Sequence, residues 1–213
     1  MLRLMRFVEV TLAAPLDLRD FYGGALELPQ NDLVTQCYKV GETRLRFRVE
    51  EGGAFYHFSL LVPGDRFDAA LAWARDRVEL LGDVLDFDFW DARAVYFHDP
   101  AGSIVELIAH HGLEENGREG PFAAEELVGF SELGLVGDRS ALLRDLEQRG
   151  LELWSGSIDE PNGLAFVGEK GRTLILARPG RGWLPTGRPA EPHPVEAQVE
   201  LDGTYSSIAT RRP

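Results

Sequence analysis

The sequence is short of cysteine, of basic residues and of long apolar runs. Its 213 residues include one cysteine, Cys37, which excludes an intramolecular disulfide and fits a reducing cytosol. Cys37 lies in the strand-like run VTQCYKV, where a free thiol behaves as a small buried hydrophobe rather than a nucleophile. Lys and Arg number 22 against 35 Asp and Glu, a net charge of −13. Such a surface repels a phosphate backbone or an anionic membrane, while leaving room for a small anionic ligand in a local basic pocket. No apolar run reaches the length of a membrane span. Arginines interrupt the apolar start MLRLMRFVEV, which therefore lacks the core of a signal peptide. The expectation is a cytoplasmic protein acting on a small-molecule substrate, with neither nucleic acid nor membrane as partner.

What is present is a repeat. FVEVTLAAP alternates with period two and reads as a strand; LDLRDFYGGALELP follows at helical spacing, then two strand-like runs, LVTQCYKV and TRLRFRVE. The pattern restarts at FYHFSLLVP. Asp65 is a plausible N-cap for RFDAALAWARDRV, whose Phe67, Ala70, Leu71, Ala74 and Val78 form an apolar stripe. VLDFDFW, ARAVYFHD and SIVELIAHH complete this unit, the last two joined by the turn Asp99-Pro100-Ala101-Gly102. After the polar stretch GLEENGREGPFAAEE comes a third unit, in register with the second at the shared Gly-Asp-Arg of 64–66 and 137–139. The reading is an α+β protein of tandem β-α-β-β-β modules. Paired modules occupy 1–112, a linker 113–126, and a divergent third module with a Pro/Gly-rich extension 127–213.

Alternation also assigns faces. The apolar face of each strand must meet its helix, which turns the other face into the concavity of the sheet. On this basis Glu9 and Thr11 point inward in the first unit, as do Arg44, Arg46 and Arg48. In the second unit His57 and Ser59 point inward, followed by Ile104, Glu106 and Ile108. Glu9, Arg46, His57 and Glu106 then converge if the first two units pack about a local twofold. Two carboxylates and an imidazole around one point suit a divalent metal of borderline hardness. The competing reading is a buried ion-pair network in which Arg44 or Arg46 neutralises the carboxylates.

FVEVTLAAPLDLRDFYGGALEL and VYFHDPAGSIVELIAHH resemble the two signature ends of the vicinal oxygen chelate superfamily, the group of glyoxalases, bleomycin-resistance proteins and extradiol dioxygenases. The resemblance covers roughly the first half of the chain well and the third unit more loosely. It implies paired modules closing into a U-shaped, partly closed barrel around one divalent metal ion (Zn, Ni, Mn, Co or Fe). Carried onto this sequence, it implies metal ligands at Glu9, His57 and Glu106. The fourth position used by glyoxalase relatives falls on or near Arg46, which cannot bind metal. Arg46 is instead expected to hold a substrate carboxylate or enolate, with Glu106 the other catalytic residue.

The implied activity is metal-dependent lyase or isomerase chemistry on a substrate with adjacent oxygens. A metal-free binding protein of the bleomycin-resistance type is one alternative. An extradiol dioxygenase is another, made less favoured by Glu9 in place of a histidine. At the shared register Phe130 takes the position of His57, Glu132 that of Ser59, and no carboxylate follows in RTLILAR. The third unit is therefore expected to be structural, covering the barrel or pairing with a second copy in a homodimer. His98 is a further candidate acid at the barrel mouth; His110 and His111 read as surface residues.

Overall fold

The computed structural model describes residues 5–30 and 35–211. Two sheets carry the fold. The smaller holds β1 (Met5–Ala14), β2 (Cys37–Val40) and β3 (Thr43–Val49). The larger begins with β4 (His57–Val62), followed by α1 (Phe67–Arg75), β5 (Leu85–Phe87), β6 (Ala92–His98) and β7 (Ile104–His110). It continues with β8 (Gly129–Val136), α2 (Arg139–Gln148), β9 (Leu153–Gly156), β10 (Ala165–Glu169) and β11 (Arg172–Ala177). A short hairpin, β12 (Gly182–Trp183) and β13 (Arg188–Pro189), precedes β14 (Val195–Leu201) and β15 (Thr204–Thr210).

The eight-stranded sheet runs β5-β6-β7-β4-β8-β11-β10-β9. Each half repeats one motif: the first strand lies parallel to the last of its unit, β4 to β7 and β8 to β11, and the halves join through the antiparallel pair β4–β8. The paired units are thus the second and third, not the first and second. The first unit is completed from the far end of the chain, in the order β15-β14-β1-β3-β2. Here β14 lies antiparallel to β1, as β8 does to β4. A first strand leaves one edge unpaired, and each such edge is covered by another strand of the same chain.

Local chemistry explains where elements differ from expectation. The helix expected across 16–29 is one π-helical turn, Asp20–Ala25, because Gly23 and Gly24 weaken any longer helix. Of VTQCYKV, the described strand is Cys37–Val40, and Leu33 and Val34 of the longer run lie outside the described residues. VLDFDFW forms only β5 before a 3₁₀ turn at Asp88–Trp90. The tail gives β15, paired with β14 through the two-residue turn Asp202-Gly203, both at positive φ. That turn is a strong hairpin signal in sequence.

One apolar core lies between the two sheets and their helices. Phe7, Val10 and Leu12 of β1 meet Phe58 and Leu60 of β4 there, together with Phe130, Leu133 and Leu135 of β8. A second cluster occupies the opposite face of the large sheet, with Tyr96, Ile104, Ile108, Phe166, Ile175 and Trp183. That face holds the site.

Among the described residues no helix is long and apolar enough to cross a membrane. Cys37 is buried with a free thiol. His110 is buried as well, against the surface placement expected for it, because β7 lies inside the sheet between β6 and β4.

Candidate metal centre

Three adjacent strands, β7, β4 and β8, bring the polar side chains together. Ser59 of β4 lies opposite Glu106 of β7 on one side and opposite Glu132 of β8 on the other. His57 is two residues along from Ser59 and so shares its face. His57, Glu106 and Glu132 are all buried, and each offers a ligand atom within 4.8 Å of the others. His57 Nε2 is 3.5 Å from Glu106 Oε2. The Tyr96 hydroxyl donates to Glu106 Oε1 at 3.0 Å.

Glu132 reaches this face through a bulge. Opposite Ser59 and Leu60 stand Glu132 and Phe130, so Ser131 is the extra residue in β8. Strict alternation would put Phe130 and Glu132 on one side. The bulge separates them: Phe130 stacks on Phe58 in the core at 5.2 Å, while Glu132 enters the cavity. Ser131 fills the bulge by donating to the Gly171 carbonyl. The third unit, expected to be structural, therefore supplies one of the three donors. A lone Glu inside FSELGLV was the available signal, of the same kind as Glu106 inside SIVELIAHH.

Glu9 and Arg46, expected at this site, lie elsewhere. They belong to the five-stranded sheet, where Arg44 Nε donates to Glu9 Oε2 at 2.9 Å and Arg46 approaches the same oxygen at 3.5 Å. The physical cause is the pairing of units: β1 is covered by β14, so the first unit never faces the second across a shared concavity. The ion pair weighed against a metal exists for Glu9, in a half-exposed setting worth little to stability. His98 is exposed. The turn Asp99-Pro100-Ala101-Gly102 is a joint between units rather than part of the site. Asp99 accepts from the Ser103 backbone N–H and from the buried Tyr22 hydroxyl of the first unit, each at 2.8 Å.

The donors sit at the floor of a cavity of about 270 Å³ whose walls are Phe87, Trp90, Leu164, Phe166, Ile175 and Trp183. The Pro/Gly-rich stretch after β11 is its roof. Trp183 lies 4.8 Å from the His57 ring and packs on Gly134, where any Cβ would stand 3.0 Å from the indole. Gly134 thus permits the roof to close. Arg181 and Leu184 complete the lining.

Burial governs the charges here. It pushes the Glu132 carboxyl up to about 7. It moves Glu106 well above the carboxylate range, with the charge of Glu132 adding to the effect and Tyr96 opposing it. The His57 imidazole is drawn down to about 4 by burial, the Ile104 backbone opposing and Arg181 reinforcing. The donor set suits a divalent cation. An imidazole and two carboxylates balance its charge, and the Glu132 carboxyl has no hydrogen-bond donor among the described residues. Among the described residues, Ser59 Oγ and Thr173 Oγ1 beside it are buried without hydrogen-bond partners. Buried polar groups left this way are costly unless something else satisfies them. A separate recess near Asp65, Asp86 and Asp91 differs, since Arg93, His111 and the N–H groups of Asn116 and Gly117 already pair those acids.

No family model matches the chain, and no curated protein matches it in sequence. Solved structures do. A Bacillus subtilis protein, named provisionally as a dioxygenase, superposes with a TM-score of 0.54 at 16% identity, over 97% of this chain and 85% of its own. Glyoxalase I from Zea mays gives 0.53 at 13% identity, over 98% of this chain and 73% of its own. At such identities the likeness is one of fold, and function has to be argued from the site.

Proposed function

We propose that this chain, whose fold is that of the vicinal oxygen chelate superfamily, is an enzyme that holds one divalent metal on His57, Glu106 and Glu132. The observation that carries this is the buried convergence of three donors within 4.8 Å, one of them a carboxyl with no hydrogen-bond donor among the described residues. Zn, Ni, Mn, Co and Fe all accept such a set. It is harder and more anionic than two histidines and one glutamate, which favours a Lewis-acid role over oxygen activation. When bound, the cation supplies charge stabilisation for an enolate or similar oxyanion on a substrate with adjacent oxygens.

The protein's own groups prepare that task. Tyr96, kept protonated by burial, donates to Glu106 Oε1 and fixes the orientation of that carboxylate. His57 is held neutral, so its ring nitrogen is free to ligate. Trp183 and Phe166 exclude water from the floor and strengthen every electrostatic contact there. Lyase or isomerase chemistry, a proton or small group leaving the carbon beside a carbonyl, is the reaction class that uses such an arrangement.

A metal-free binding role is the second reading, favoured by the raised carboxyl pKa values, which let both acids rest neutral in an aromatic-walled cavity. The two separate cleanly. Protein purified without a metal-affinity tag is expected to carry about one equivalent of divalent metal by elemental analysis. After chelation, adding back Mn, Fe, Co, Ni or Zn should raise the melting temperature. That rise should vanish in His57→Ala and Glu132→Gln and persist in Glu9→Gln. Absence of metal and of any shift in the unmodified protein would overturn the enzyme reading in favour of the binding one.

A further inference from the structure

In a chain with 35 acidic residues against 22 basic ones, an arginine without an acceptor is conspicuous. Among the described residues, every other arginine that is buried or half-buried has a carboxylate or carbonyl to donate to or to face across an ion pair. Arg66 has Glu126, Arg172 has Glu42 and Glu114, Arg139 has four carbonyls, and Arg188 has the Gly102 carbonyl. Arg181 is half-buried in the wall of the metal-centre cavity and has none. Its guanidinium instead sits 6.0 Å from the Trp183 ring, the same indole that packs on His57. The cavity thus has two polar poles, the donor triad at the floor and one unpaired cation at the wall, with aromatic and aliphatic surface between them.

We infer that Arg181 anchors an anionic group of the substrate, and that the substrate class is a small carboxylate with an apolar body about the size of one aromatic ring. The assignment names the substrate of the proposed metal site and rests on that reading only in placing the reacting end at the triad. A guanidinium presents a planar fork that matches a carboxylate with two parallel hydrogen bonds. The choice of a single negative charge follows from the lining. The other ionisable groups there are acids and a neutral imidazole, so a dianion such as a phosphate monoester would bring a second charge with nothing to balance it. The modest volume, at the small end for ligand cavities, limits the body to a single ring or its equivalent. Walls built from Phe87, Trp90, Phe166 and Trp183 favour a flat one.

Benzoate and its neutral isostere benzamide test this on the full chain, by calorimetry and by quenching of tryptophan fluorescence. Titrations are run on chelator-treated protein and again with the cation that gives the largest thermal shift. Benzoate is expected to bind about tenfold to a hundredfold more tightly than benzamide in both states. Arg181→Gln should level the two ligands and Arg181→Lys should keep part of the difference, with cation-induced melting shifts unchanged in both variants. Equal affinities in the unmodified protein, binding of neither ligand, or a preference that survives Arg181→Gln would each overturn the assignment. Discrimination without metal uptake sinks the metal site and leaves Arg181 standing; metal uptake without discrimination does the reverse.

Discussion

Ser59 stands between two glutamates that share a buried face, and the three side chains that meet there respond oppositely to pH. The Glu132 carboxyl, raised by burial to about 7, contributes stability that is complete below the unfolded carboxyl range and is lost as pH rises toward 7. Glu106 extends that loss to higher pH, burial again being the main cause. His57, drawn down to about 4, contributes stability present above about 6.5 and lost as pH falls toward 4. At mildly acidic pH the imidazole slope offsets one of the two carboxyl slopes, and above about 6.5 only the carboxyls remain. Chelator-treated protein should therefore melt at a lower temperature at pH 8 than at pH 6.5. The increment from added cation should be larger at pH 8, because ligation requires both carboxylates ionised. Scanning calorimetry at the two pH values decides it; a flat profile, or one unchanged by Glu132→Gln, would show that these acids are not linked to folding. At this scale sequence parity was enough to find His57 and Glu106, since strict alternation holds through β4 and β7. It misplaced Phe130: the shared register set Phe130 and Glu132 on the inward face with His57 and Ser59, and the bulged residue in β8 keeps Glu132 there while turning Phe130 into the core. An imidazole and two carboxylates were expected, and they are present, but the second glutamate comes from the third unit rather than from Glu9.

At the scale of elements, the repeated Gly-Asp-Arg has one job in two places. Arg66, at the start of α1, gathers the carbonyls of Arg118 and Gly120 and pairs with buried Glu126, tying down the segment that leads into β8. Arg139, opening α2, gathers the carbonyls of Ser157, Ile158, Glu160 and Gly163 before β10. A guanidinium at a helix start thus supplies donors to irregular backbone that would otherwise be unpaired. The Tyr22–Asp99 bond joins units in the same manner, and its loss should be measurable. Tyr22→Phe leaves a buried carboxyl short of a donor and is expected to cost about 1–3 kcal/mol in urea unfolding. A change of only a few tenths would mean that the Ser103 contact alone holds the turn. Helices α1 and α2 were readable from periodicity, but the cap expected at Asp65 is not made. Its carboxylate accepts from the Asn116 and Gly117 N–H groups instead, and only Asp138, at the equivalent place, caps its helix. The roof was not readable, because RPGRGWLPTGRPAEPHP carries no periodic pattern, and only the close approach at Gly134 shows what its tryptophan covers.

For the whole molecule, the pattern of repeats was legible and the pairing of repeats was not. Each unit has the same outline of strand, helix and strands, so nothing in the periodicity says which first strand lies beside which. The choice is made by the two ends of the chain. β14 and β15 cover β1, burying Val195, Val199 and Ile208 in the shared core, and the second and third units are left to face each other. The edge of β1 that faces away from β3 is therefore filled from within the chain. Removing residues 195–211 should bare that edge and its apolar neighbours, and edge strands of this kind pair with whatever strand they meet. The shortened protein is expected to elute as oligomers or to precipitate, read by size-exclusion chromatography. A stable monomer would show that β1 and β3 hold without their partner.

The floor of the cavity and its roof are written in different stretches of the chain. The three donors rest on β4, β7 and β8, inside a sheet whose register tolerates little change. Arg181, Trp183 and Leu184 sit together on one short hairpin that only leans on that sheet. Variation confined to residues 178–190 can therefore retune which molecule is admitted while the donor-bearing strands stay as they are. In a lineage of such proteins, the molecule admitted to the cavity is free to change faster than the donors beneath it.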